Sequence, residues 1–188
     1  MFLSVENATA ANYATVISTS DLKDHLRVTS TDEDSLINSY RTAACQFVEN
    51  YCNTRLTSQS VYFYAQAFGA IGEFQIGPVI SVSAVEYKTS KTGSYITLDS
   101  ANYYVEKARV PALIKFMTAP STDGDALAPI RVTATCGYAT TPEPLVHAVR
   151  LLVAHYFENR QAAEVGNIKE IPLGIKSLLN TYRSISFI

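Results

Sequence analysis

Between residues 31 and 52 apolar side chains return at three- and four-residue steps, as Leu36, Ile37, Tyr40, Ala44, Phe47, Val48 and Tyr51. This period lays one broad apolar face along a helix and predicts that the face is buried. Thr31 stands before Asp32, Glu33 and Asp34, so the helix is expected to start there. Its hydroxyl would be the cap, and the three carboxylates would sit at the positive end of the helix dipole. A shorter helix is predicted over residues 19–27. Ser18 precedes it as a cap, Asp21 answers from the third helical position, and Ile17 can staple onto Leu22.

From residue 57 to 138 the period falls to two. Strands are expected over 60–66, 79–87, 95–98, 103–106, 112–116 and 130–136, several of them rich in Val, Ile and aromatic residues. In the last of these Ile130, Val132, Ala134 and Cys136 alternate with Arg131, Thr133 and Thr135, which gives one buried and one wet face. Lys91-Thr92-Gly93-Ser94 and Thr122-Asp123-Gly124-Asp125 supply turns. A small antiparallel sandwich or barrel satisfies this block.

Helical spacing returns after Gly137, with Thr141 read as a cap, Pro142 as the first helical residue and a run to about residue 163. Leu145, Val146, Val149, Leu152, Val153, Tyr156 and Phe157 occupy most of that helix's circumference. One side should meet the 32–52 helix, and the other the sheet or a neighbouring subunit. Ile175, Leu178, Leu179 and Tyr182 mark a last amphipathic helix within 171–183, and Ile185, Phe187 and Ile188 form an apolar terminus that gains nothing from water. The fold class is therefore α+β: a helical bundle with an inserted small antiparallel β domain and a C-terminal helix and tail. The expected division is an N-terminal arm at 1–17, a helical core at 18–56 and 139–170, the β domain at 57–138, and a docking helix and tail at 171–188.

Composition narrows the function. The 188 residues are 47% apolar and only 17% charged, against a usual ~25%. Fifteen basic and 17 acidic side chains nearly cancel, which excludes a disordered chain and a basic nucleic-acid binder of the usual kind. The surface must be built largely from uncharged polar groups. Twelve tyrosines suit an interface, because Tyr covers a large area at small entropic cost. No signal-peptide pattern opens the sequence. The most apolar run, 145–157, is broken by His147, Arg150 and His155 and is shorter than the ~20 residues a bilayer span needs. Cys45 and Cys52 on one helix lie ~10 Å apart, too far for a disulfide, so free thiols and synthesis in the cytoplasm are expected.

Catalytic signatures are absent from the sequence. His25, His147 and His155 do not converge at metal-ligand spacing, and Asp32-Glu33-Asp34 lacks the glycine and later glutamate of a calcium loop. There is no nucleophile elbow, P-loop or dinucleotide fingerprint, and Gly69-Ala70-Ile71-Gly72 reads as a plain loop. His155-Tyr156-Phe157-Glu158-Asn159-Arg160 holds a base, an acid and a cation, so an enzymatic or small-molecule-binding domain built on it is one alternative. Polar groups at such a helix end more often cap it or bond across subunits. No catalytic, cofactor or metal residues are assigned, and no cofactor is expected.

The ordered set of segments resembles the head-tail connector proteins, the adaptor or head-completion proteins of long-tailed DNA phages and gene-transfer particles. It comprises Asp21-Leu22-Lys23-Asp24-His25-Leu26-Arg27-Val28, Asp32 to Ile37, Ala43-Ala44 through Glu49-Asn50-Tyr51-Cys52, Pro78 to Val82, Tyr103-Tyr104-Val105 and Cys136-Gly137-Tyr138 with Pro142. Leu151 to Arg160, then Ile171-Pro172-Leu173-Gly174-Ile175 and Leu178-Leu179, complete it, covering most of residues 16 to 183. The resemblance implies a structural virion neck protein without catalysis. It would form a ring under the portal, commonly twelvefold, joining the filled head to a stopper or tail-completion protein. Double-stranded DNA would pass without sequence-specific binding. A stopper or tail terminator is the other virion alternative. On this reading Leu152, Tyr156, Phe157, Glu158 and Arg160 are candidates for packing in the ring, and Ile175, Leu178, Leu179, Tyr182, Ile185, Phe187 and Ile188 for docking into the portal.

Overall fold

The computed structural model describes residues 2–159 and 173–184. It is α+β and divides into two compact units. One holds Asn12–Thr57 and Ala139–Arg183 and is helical; the other holds residues 2–11, Ser58–Tyr138 and Ser184 and carries the strands. Residues 1–17, expected as an arm, are thus shared between the units.

In the helical unit a short 3-10 turn leads into α1 (Thr19–Leu26), followed by α2 (Asp34–Cys52), α3 (Glu143–Glu158) and α4 (Leu173–Asn180). The start of α1 is as expected: Ser18 Oγ accepts from the Asp21 amide at 3.0 Å and donates to its carboxylate at 2.6 Å, with Ile17 and Leu22 both buried. Two caps differ from expectation. Helix α2 begins at Asp34 because Ser30 and Asp32 bond each other locally at 2.6 Å and Asp34 pairs with Lys23 at 2.8 Å, so Thr31 stays in a turn. Thr141 donates to the Leu56 carbonyl at 2.8 Å rather than capping α3, which leaves Pro142 as the N-cap and Glu143 as the first helical residue. At the other end the Asn159 side chain donates to the His155 carbonyl at 2.8 Å and closes α3 there; the expected extension to 163 lies outside the described residues. Helices α1, α2 and α4 all pack on α3, which buries much of its apolar circumference within the unit and leaves Tyr156 and Phe157 half-buried.

The β unit contains a five-stranded antiparallel sheet in the order β1-β2-β7-β3-β4. Its strands are β1 (Phe2–Asn7), β2 (Gln59–Ala65), β3 (Val79–Tyr87), β4 (Ile96–Thr97) and β7 (Ile130–Cys136). A two-stranded ribbon, β5 (Tyr103–Glu106) with β6 (Leu113–Phe116), completes it. The expected strands appear with shifts of a residue or two. Strand β1 was not predicted: Ser4 and Glu6 flank a single Val5, too little alternation to signal a strand, and it is held by pairing with β2. The sheet does not close into a barrel. Its inner face (Val61, Phe63, Val85, Ile130, Val132, Ala134) shares one core with the ribbon's Ile114, Val105 and Phe116 through Phe68 and Phe74. This is the sandwich alternative, with a small second layer.

Candidate functional site

The helical unit is organised around Glu49, a buried carboxylate in mid-α2. It accepts from the Tyr13 hydroxyl at 3.0 Å and from the Leu56 amide at 2.9 Å, which ties the entry turn and the chain after α2 to one point. Burial first, then the negative charge of Glu49 and its hydrogen bond, push the Tyr13 phenol well above its ordinary pKa. Burial, with Glu49 nearby, also pushes the Cys45 thiol up to about 12, and burial pushes Cys52 up to about 11. All three cysteines are free and buried. These groups are positioned for folding and are poor nucleophiles.

The residues singled out in the sequence separate into three groups. Leu152 is fully buried in the helical core, and Tyr156 is half-buried with its ring 6.1 Å from that of Tyr40. Phe157 is half-buried, Glu158 is exposed, and Arg160 lies outside the described residues. Ile175 and Leu179 are 3% and 0% exposed, because α4 lies on α2 and α3 and spends these two side chains on the unit's own core. In this structure both side chains, expected at a docking surface, face the unit's own core. Tyr51 donates to Asn180 at 2.8 Å, and the Arg183 guanidinium sits over the Tyr51 ring at 5.4 Å, which fixes the end of α4 further. Leu178 and Tyr182 keep partial exposure, while Ile185, Phe187 and Ile188 lie outside the described residues. His155 is engaged with Asn159 through its carbonyl, and its Nδ1 lies 3.4 Å from the same amide. The acid and base of that cluster therefore sit at a helix end that Asn159 closes. On the same unit His25 is pressed below its ordinary pKa by burial, then by Arg150 and His147, with Glu158 opposing.

Sequence reasoning missed the outer face of the sheet. The register places Glu6 opposite Tyr62, Tyr62 opposite Thr133, Tyr64 opposite Arg131, and Arg131 opposite Glu86, all on the side away from the core. Arg131 bonds Glu86 at 2.8 Å and lies between two rings, 4.3 Å from Tyr95 and 5.1 Å from Tyr62. Lys88 lies 4.5 Å from Tyr95, and Tyr64 donates to Glu6 at 3.3 Å. Cations and aromatic rings thus alternate across the sheet, and the charges of Lys88 and Arg131 are balanced by Glu86 and Glu6. The Glu86 hydrogen bond pushes Arg131 further up in pKa, and burial raises Tyr95 and Tyr64. The wet side of β7 was legible from its alternation; Tyr95, which completes the stack from the connection after β3, was not. Among the described residues no group of His, Cys, Asp and Glu could hold a metal ion, and no helix is long and apolar enough to cross a membrane.

A family profile for head completion proteins matches residues 15–185. The chain belongs to the head completion protein family. No curated protein sequence matches it at a significant level. Among solved structures, a chain in the virion of a native gene transfer agent particle aligns with TM-score 0.79 and 22% identity over 99% of this chain and 98% of that one. A chain in the neck of an empty particle of that kind, computed with C6 symmetry, gives 0.78 and 24% over the same shares. A chain in the neck of the native particle, computed with C12 symmetry, gives 0.76 and 22%, again over 99% and 98%. This head completion protein therefore shares its whole fold with those chains.

Proposed function

We propose that this head completion protein is a structural component of the virion neck, a head-tail adaptor that forms a ring under the portal and connects the DNA-filled head to a stopper or tail-completion protein. The observation that carries the reading is end-to-end agreement of the fold with neck chains, combined with a family match that spans both units. The C12 symmetry of one such neck supports a twelvefold ring. A low-charge, tyrosine-rich surface suits close neighbours, and near-neutral charge suits a channel through which DNA slides without being held. Catalysis plays no part in this role, and no residue is assigned to it.

Portal docking falls to the apolar terminal residues Ile185, Phe187 and Ile188 together with Leu178 and Tyr182, which keep partial exposure on the helical unit. Ring packing on the helical unit falls to Tyr156, Phe157, Glu158 and Arg160, since Leu152 is internal. The test is a chain lacking residues 185–188. It should keep its circular dichroism spectrum and melting temperature, because α4 and its buried anchors remain, yet fail to join DNA-filled heads in a complementation assay. Normal joining by that truncated chain would overturn the docking assignment.

A further inference from the structure

The β unit has two faces turned away from its core, a partly exposed one on the sheet and an exposed one on the ribbon. The outer face of the five-stranded sheet carries Tyr62, Tyr64, Tyr95 and Arg131. The outer face of the ribbon carries Tyr104 and Lys115, which are cross-strand partners, and Met117 beyond them. Tyr104 is 62% and Met117 68% exposed, although each belongs to a locally ordered segment; the Met117 amide, for example, donates to the Asn102 carbonyl at 2.7 Å. Between these faces lies the shared core of Phe63, Phe74, Phe68 and Phe116. The Tyr104 hydroxyl donates to Glu106 at 3.4 Å, but the unit's own fold buries neither the Tyr104 ring nor the Met117 side chain.

We infer that the ribbon face of one copy seats on the sheet face of the next, so that the β units form a head-to-tail contact around the ring. This rests on the ring reading given above and specifies where the copies touch. A closed cyclic assembly needs two different, mutually complementary patches on each subunit, and for twelve copies their directions differ by about 150°. Two faces on opposite sides of one sandwich meet that need; two patches on a single face would not. The chemistry is complementary as well. The sheet offers rigid rings held in place by stacked cations, and a thioether and a phenol from the ribbon pack well on aromatic faces. Lys115 is an exposed ammonium, and Glu6 is an exposed carboxylate at the rim of the opposing face. At strand spacings of ~4.8 Å and ~3.3 Å per residue the sheet face is about 20 Å on a side, or roughly 400 Å². That is about half of what each partner contributes to a standard stable interface, so the contact belongs to an assembled neck and not to a free dimer.

The experiment uses necks assembled with the full-length chain. Tyr62→Cys combined with Met117→Cys is treated with a short bis-maleimide and separated under denaturing conditions; the native thiols are buried and stay silent. A ladder of oligomers from the double variant, with monomer from each single variant, is the expected result. Where Tyr62→Cys impairs folding, Thr133→Cys supplies the sheet-side thiol. Rings visible by electron microscopy that yield only monomer on the gel would overturn the face assignment and leave the ring reading standing. Absence of rings in unmodified necks would overturn both. In a second arm, Tyr104→Asp with Met117→Asp should keep its melting temperature and lose at least tenfold in neck incorporation. Incorporation at the unmodified level would count against the contact.

Discussion

At the scale of single residues the least replaceable group is Glu49. Its buried carboxylate accepts from the half-buried Tyr13 hydroxyl and from the buried Leu56 amide. Removing it leaves the buried Leu56 amide unmet, at about 1–3 kcal/mol, while the half-buried Tyr13 hydroxyl can turn to water, so Glu49→Ala should lower unfolding free energy by about 1–3 kcal/mol. Glu49→Gln, which keeps one oxygen, should lose less. Urea denaturation measures both, and an alanine variant within experimental error of the parent would refute the role. Gly137 makes a separate demand: its φ of 115° is barred to L side chains, and its amide donates to the Pro78 carbonyl at 2.8 Å. Gly137→Ala should therefore cost about 1–3 kcal/mol, whereas Gly69→Ala, where an added Cβ meets nothing, should be close to neutral. The thiols are equally specific. With Cys45 pushed up to about 12 and Cys52 to about 11, the native chain should resist iodoacetamide at pH 8 and alkylate at all three cysteines once unfolded, as mass spectrometry would count.

At the scale of elements, α1 packs on α3 and sets His25 near Arg150, His147 and Glu158. His25 on α1 is held below its ordinary pKa by burial, Arg150 and His147, with Glu158 pulling the other way. The unfolded chain then binds its proton first as pH falls. The contribution is whole above the unfolded value of about 6.5 and declines as pH drops from there towards the folded value. His25→Gln should accordingly flatten the fall of melting temperature between pH 7.5 and pH 5, and an unchanged slope would dismiss that contribution. Element type was largely legible because the chain changes period cleanly, from 3.6 at Leu36–Tyr51 to 2 at Ile130–Cys136 and back at Leu145. Element ends were less so. Thr31 and Thr141 both have the right side chain for a cap, but each is overruled by another bond: Ser30 with Asp32 in one case, the Leu56 carbonyl in the other. Strand β1 exists through its partner β2, which no local pattern announces. The same limit explains the candidate surfaces. Amphipathic spacing in α4 shows that Ile175 and Leu179 are buried somewhere, but cannot say that α2 and α3 of the same chain bury them. The sheet-face stack joins residues from four segments and is invisible until they pair.

At the scale of the whole molecule the governing quantity is charge. A chain with net charge −2 and few ionised groups has little with which to neutralise phosphates, and each neutralised phosphate would add affinity that falls steeply with salt. On the sheet face even the two cations, Arg131 and Lys88, are committed to aromatic rings, and Arg131 also to Glu86. A nucleic-acid reader with aromatic platforms would leave such cations free to follow the backbone; here the local sum is neutral. The purified chain should therefore show no retention of double-stranded DNA at physiological salt in fluorescence anisotropy, weaker than the roughly 10⁻⁴–10⁻⁶ M of ordinary non-specific binders. The contact proposed between β units should at the same time weaken only modestly from low to high salt, because screening acts on the exposed Lys115 and Glu6 charges and leaves the contact of rings and thioether intact. Tight, salt-steep DNA binding would make this a gripping protein, and a neck that grips its DNA cannot let the genome leave.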